Sequence, residues 1–310
     1  MDRGLKPLLD SVRDDRAWEA RIAKDPLEFP HRFKDRDDIE VAALLSCGLA
    51  YGRADLFKPK IAGLLLHMGP HPGAFVRALT PKETTAWLSS FVYRFNTGGD
   101  VAVLLLGMGA ALRRVGSLEA LFVEGLKREG TWHRALAHFT ASLRQGGEIP
   151  GQKLRTRGLS HLLPSPLGPG TAKRLNLFLR WMVRGPDGVD FGLWKSVSPS
   201  QLVMPLDTHV FRIASWLGLT TYASPSWKAA EEVTENLRTL RPEDPVAYDF
   251  ALCHLGMSGA CPQTPRADNC ARCPLLPACR MGKKTVLKAK ARGLRERLPR
   301  RPASKTSRPR

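Results

Sequence analysis

Apolar residues recur three and four positions apart along most of the chain, the spacing of amphipathic helices and not the alternation of half-buried strands. The segments 39–52 (IEVAALLSCGLAYG), 55–69 (DLFKPKIAGLLLHMG), 81–95 (PKETTAWLSSFVYRF), 101–116 (VAVLLLGMGAALRRVG), 117–130 (SLEALFVEGLKREG) and 133–147 (HRALAHFTASLRQGG) all carry it. Many of them end in glycine, as a helix with a left-handed C-terminal residue does, and Ser117 stands where a side-chain cap belongs. The pattern resumes at 171–184, 208–217, 226–240 and 244–261, so the expected class is all-α. No convincing alternating segment and no internal repeat appears.

One region breaks the rhythm. Residues 146–170 (GGEIPGQKLRTRGLSHLLPSPLGPG) hold ten Gly or Pro among 25 and carry Lys153, Arg155 and Arg157. A loop this long and irregular inside a folded chain is often functional. It feeds the helix at 171–184, and a second loop, 185–194 (GPDGVDFGLW), follows that helix.

Charge changes the picture next. The 310 residues include 48 Lys+Arg and 29 Asp+Glu, a net charge of +19. Residues 281–310 hold twelve basic residues against one acid, Glu296, so this tail carries +11 and the rest of the chain +8. Both parts favour a polyanionic partner, nucleic acid being the commonest. The tail itself is expected to be a solvated, disordered end. The longest apolar run, 101–112, has 12 residues, short of a bilayer span, and the N-terminus lacks a signal-peptide core. The expected location is cytoplasmic, on the nucleoid, with no membrane contact and no disulfides.

Four of the six cysteines fall in CPQTPRADNCARCPLLPAC: Cys261, Cys270, Cys273 and Cys279, spaced C-x8-C-x2-C-x5-C. Thiolates this close in a reducing compartment point to a metal. Zinc ribbons usually show two C-x-x-C knuckles, and one such pair with flanks eight and five away suits a loop around a 4Fe–4S cluster; zinc is the alternative. Cys47 and Cys253 lie on apolar helices and fit buried core positions, as do Asp249 and His254.

Two further positions carry candidate chemistry. LLPSPLGPGTAKRLNLFLR (162–180) is a Gly/Pro turn entering a helix, and amides at Gly168, Gly170 and Thr171 could bind phosphate oxygens there, with Arg174 beside them. Lys173 falls in the first helical turn, where the positive helix end and burial would both favour a neutral, nucleophilic amine. In MPLDTHVFRIASWLGL (204–219), Asp207 is placed to cap the next helix. A carboxylate fixed by helix amides stays ionised and points one way, which preorganises it to stabilise a developing cation.

With these residues assembled, the chain resembles the helix-hairpin-helix DNA glycosylases of the endonuclease III type. PLDTHVFRIASWLGL is similar to their V-D-T-H-x-x-R…L-G-L signature, and LLPSPLGPGTAK to their L-P-G-V-G-x-x-T-A hairpin. The four cysteines resemble their C-x6-C-x2-C-x5-C loop, in the same order along the chain. DPLEFPHRF and IEVAALLSCGLAYGR resemble an uncharacterised bacterial family related to those enzymes. The resemblance implies two helical lobes, 46–204 with the hairpin and 1–45 plus 205–280 with the cluster loop, ahead of a basic tail at 281–310. It implies a monomer that binds double-stranded DNA and flips a damaged base into a pocket between the lobes. It assigns Asp207 to stabilising the sugar oxocarbenium and Lys173 to attack at C1′, giving a Schiff base and strand cleavage. Three departures stand beside it. The first cysteine gap is eight, Pro166 and Pro169 remove amide donors, and 34 residues separate Lys173 from Asp207. Lys153 is the second candidate for the amine. Two other functions fit the same features: a non-catalytic DNA-binding or structure-sensing protein on this scaffold, and a zinc-binding RNA-associated protein.

Overall fold

Side chains of Thr80, Thr97, Ser117, Thr131, Thr156, Asp207 and Ser226 cap the helices that follow them. The computed structural model describes residues 4–14 and 16–297, and it is built almost wholly of helices. These are α1 (Leu5–Arg13), α2 (Arg36–Leu49), α3 (Ala54–Met68), α4 (Pro72–Ala78), α5 (Pro81–Trp87), α6 (Gly98–Val115), α7 (Leu118–Glu129), α8 (Trp132–Gly146), α9 (Arg157–Leu162), α10 (Lys173–Val183), α11 (Thr208–Leu217), α12 (Trp227–Arg238), α13 (Asp249–Met257), α14 (Ala267–Ala271) and α15 (Arg280–Arg297). Short 3-10 segments occupy Arg16–Lys24, Pro26–Glu28, Pro30–Arg32 and Pro199–Gln201. Ser117 caps α7 through the Ala120 amide at 3.0 Å, and Gly116, Gly130 and Gly218 are left-handed at the ends of α6, α7 and α11. Thr97 and Asp100 close a reciprocal capping box at the start of α6.

The helix expected over 81–95 is only half formed. It stops at Trp87, and β1 (Val92–Tyr93) pairs with β2 (Asn96–Thr97) in a two-strand antiparallel ribbon. The apolar spacing continues, but Arg94 turns left-handed (φ 54°), and the chain must meet the capped start of α6 immediately beyond.

The core is continuous through the molecule. α2 is buried from Asp38 to Leu49, with Asp38, Glu40 and Ser46 buried among its apolar residues, and it packs against α4 and α10. α6 and α8 cross closely: a Cβ on Gly107 would lie 2.0 Å from the Leu143 carbonyl oxygen, and one on Gly147 would lie 1.9 Å from that of Val103. Glu40, fully buried in α2, accepts the Leu118 amide at 2.8 Å and the Trp194 indole N–H at 2.6 Å, tying α7 and the 185–204 segment to α2. α1 packs on α13, where the Tyr248 hydroxyl donates to Asp10 at 2.9 Å.

The 185–194 segment folds back along α10. Phe191 and Trp194 donate their amides to the carbonyls of Trp181 and Met182 at 2.8 and 2.9 Å. Beneath it lies a buried ionic lattice: Arg180 joins Asp190 (3.0 Å) and Asp249 (2.5 Å), and Arg184 joins Asp187, Asp190 and Asp244. Burial opposes charge on both arginines, but the surrounding carboxylates outweigh it and push both pKa values upward.

The basic tail needs a correction. Residues 281–297 belong to α15 and are not the disordered end that their charge suggests; residues 298–310 lie outside the described residues. Among the described residues no single helix is long and apolar enough to cross a membrane, and α6 with α7 reaches that length only across a 76° bend.

Candidate active site

Two helix N-termini meet at one cavity. α10 begins with Lys173 and α11 is capped by Asp207, whose Oδ1 accepts the Val210 amide at 2.7 Å. The other oxygen, Oδ2, receives Lys173 Nζ at 3.4 Å and the Cys253 thiol at 3.4 Å. The 34-residue interval does not part the two residues, because the 185–194 segment packs back on α10. A cavity of about 360 Å3 opens over them, with Asp25, Tyr51, Phe57, Trp181, His209 and Asp249 among its walls. Asp207 has 8% of its side chain exposed and Lys173 has 39%, so the anion is sheltered while the amine reaches toward solvent.

The charge state of the lysine corrects a sequence expectation. Burial does oppose the ammonium, but the Asp207 carboxylate outweighs it, and the Lys173 pKa moves up. Burial likewise opposes the Asp207 anion, but Lys173 and the Val210 amide outweigh it and hold the carboxyl below its usual range. The resting pair is ionic. The positive end of α10 is not enough to neutralise an amine with a carboxylate 3.4 Å away.

Lys173 is aimed by the residue before it. Ala172 is left-handed (φ 48°, ψ 31°) and buried, an uncommon conformation for a residue with a side chain. In the loop ahead of it, Gly168 and Gly170 are exposed and Thr171 is half-buried. The Gly168 amide is spent on the Ser165 carbonyl at 3.1 Å, whereas the amides of Gly170 and Thr171 make no hydrogen bond among the described residues. His133 holds the loop through the Pro166 carbonyl at 2.7 Å and stacks on Trp227 with ring centres 4.0 Å apart.

The basic residues divide. Lys153, Arg155 and Arg157 are exposed and are not among the residues that line the cavity. Arg174 is half-buried in the cavity wall, where it donates to the carbonyls of Gly48 (2.5 Å) and His161 and lies 5.5 Å from the Tyr51 ring centre. Burial lowers its pKa.

Several cavity residues escaped sequence reasoning. Asp249, Cys253 and Met257 line the cavity together from one face of α13; the i, i+4, i+8 spacing in DFALCHLGM carried that signal, but core packing explained Asp249 and Cys253 singly. Burial pushes the Cys253 thiol well up, and it pushes the Asp249 carboxyl up to about 6 despite Arg180. Tyr51 packs with Tyr93, Phe95 and His161, which places the ribbon behind the cavity wall. Burial and the Arg174 charge drive His161 down to about 4. Asp25 accepts the Leu27 amide and faces His254 at 3.5 Å.

Cys261, Cys270, Cys273 and Cys279 are all free thiols lining one small cavity with Trp216, Leu276 and Gly282. The Gly282 amide donates to the Cys279 sulfur at 3.2 Å, and Arg212 on α11 donates to the Cys261 carbonyl at 2.6 Å. Among the described residues the only metal-ligand atoms gathered three together within 4.8 Å belong to Asp35, Asp38 and His71, so no three of these sulfurs lie that close.

No curated protein and no solved structure matches the chain. A family profile matches residues 25–258, from the cavity residue Asp25 to the end of α13, with the cysteine loop beyond it. That is well over half of the chain, which therefore belongs to the family described as "Protein of unknown function (DUF2400)".

Proposed function

We propose that the chain excises bases from double-stranded DNA. The observation that carries this reading is the meeting of Lys173 Nζ and Asp207 Oδ2 at 3.4 Å in the mouth of one cavity. A base flipped from the stack would enter that cavity, and the Tyr51 and Phe57 rings in its wall suit a planar guest. As the C1′–N bond breaks, its electron pair leaves with the base, and the sheltered Asp207 anion stabilises the sugar cation. Lys173 then bonds to C1′ as an amine, having passed its proton to Asp207 or to water; loss of the sugar-ring oxygen bond gives the Schiff base that precedes strand cleavage. The free amides of Gly170 and Thr171 suit a phosphate beside the flipped nucleotide.

The cysteine loop fits an iron–sulfur cluster better than a single zinc ion. Four thiolates around zinc at about 2.3 Å would bring the sulfurs to roughly 3.8 Å from one another, whereas no three of these lie within 4.8 Å of one another. Cys261, Cys270, Cys273 and Cys279 would hold a 4Fe–4S cluster, whose iron–thiolate bonds would fix the loop against α11 and α15.

The test is a duplex with one abasic site plus borohydride. Wild-type protein should give a covalent adduct, Lys173→Gln none, and Asp207→Asn should lose base release across a panel of damaged duplexes. Because the lysine pKa is raised, trapping should climb with pH toward and beyond the ordinary lysine range. Base release should hold as pH falls through the ordinary carboxylate range, since Asp207 stays ionised there. Base release without the adduct would leave a glycosylase with no lyase step. Neither signal would overturn the reading in favour of a silent DNA-binding scaffold.

A further inference from the structure

We infer that α15 is a second nucleic-acid contact, one that grips the phosphate backbone of undamaged duplex. Arg280–Arg297 holds eight basic residues and one acid, Glu296. Arg280, Lys284, Lys288 and Arg292 stand at i, i+4, i+8 and i+12, so one face of the helix is a ridge of like charge without an intervening acid. Like charges four apart on a helix repel each other and destabilise it. Lys283, Lys284, Lys288 and Lys290 are exposed and make no ion pair with other described residues. Lys284 and Lys288, one turn apart, therefore carry a repulsion that no described ion pair offsets and that a polyanion would relieve.

Duplex DNA is the partner that the ridge fits. An anionic membrane would need a broad apolar face opposite the charge, and the one large apolar side chain exposed among the described residues of α15 is Leu287. The helix is also anchored at its start. Its Cys279 flank faces the cysteine cavity, and Arg280 lies against Gly218, at the far end of the helix that Asp207 caps. Ten residues of α11 span about 15 Å, roughly four to five base-pair steps along a duplex. The inference rests on the proposed DNA partner but not on base excision.

The experiment uses the full chain and an undamaged duplex, so excision plays no part in the outcome. Affinity is measured against salt concentration for wild type, Lys284→Gln/Lys288→Gln and Lys284→Arg/Lys288→Arg. The glutamine pair should reduce the log–log salt slope by roughly 2, about one unit per lost phosphate contact, and the arginine pair should restore it. Far-UV circular dichroism should be unchanged, because both substitutions keep good helix formers. An unchanged slope in the glutamine pair would overturn the inference. So would retention of α15-dependent binding by phosphatidylserine vesicles but not by duplex.

Discussion

Asp207 does two jobs with two oxygens. Oδ1 holds the start of α11, and Oδ2 faces the amine and the Cys253 thiol. The cap was legible in PLDTHVF, because an Asp just ahead of an apolar helical run is placed to accept the first unpaired helix amides. The charge on Lys173 was not legible, because it depends on a carboxylate 34 residues away whose distance no local pattern fixes. Asp249 was hidden for the same reason: its partner Arg180 and its place in the wall arise only when α10 and α13 meet. It supplies a pH prediction. Its folded pKa, about 6, lies above the unfolded value, so the native state holds that proton more tightly. Its contribution to stability should therefore fall as pH rises from roughly 4 to 6 and then level off. The charged groups around it are Arg180, Asp190 and Asp207. Urea titrations at several pH values should show a slope in that window that is absent in Asp249→Asn.

At the scale of elements, sequence reading succeeded where capping chemistry marks a helix end and failed where tertiary contact decides. Ser117 and Asp207 announce α7 and α11. Nothing in LSSFVYRF announces the ribbon, which forms because Tyr93 and Asn96 find partners around Tyr51. Glycines show the same division. Gly107 lies in α6 with no room for a methyl group beside Leu143, whereas Gly63 in α3 has nothing within 4 Å. Gly107→Ala should destabilise the protein by about 1–3 kcal/mol or more through overpacking, whereas Gly63→Ala should stabilise it by about 0.5–1 kcal/mol through helix propensity. Chemical denaturation of the two variants separates them by sign.

The whole molecule joins parts that the sequence lists far apart. α1 returns to α13, Glu40 ties α7 to Trp194, and Arg212 ties the helix behind Asp207 to the cysteine loop. The loop lies outside the family match, but its cavity abuts α11. Protein purified anaerobically should be brown, with broad visible absorption that Cys273→Ser bleaches; a colourless protein with one bound zinc would refute the cluster assignment.

The left-handed bend at Ala172 has a consequence for how the lysine is presented. A glycine there could enter α10 along many paths, and the side chain after it would sweep a wide arc. The methyl group on Ala172 closes most of those paths, at a conformational cost of roughly 1–3 kcal/mol. The chain carries this strain at rest, so the amine is already pointed before any ligand enters the cavity, and binding energy need not be diverted to aiming it.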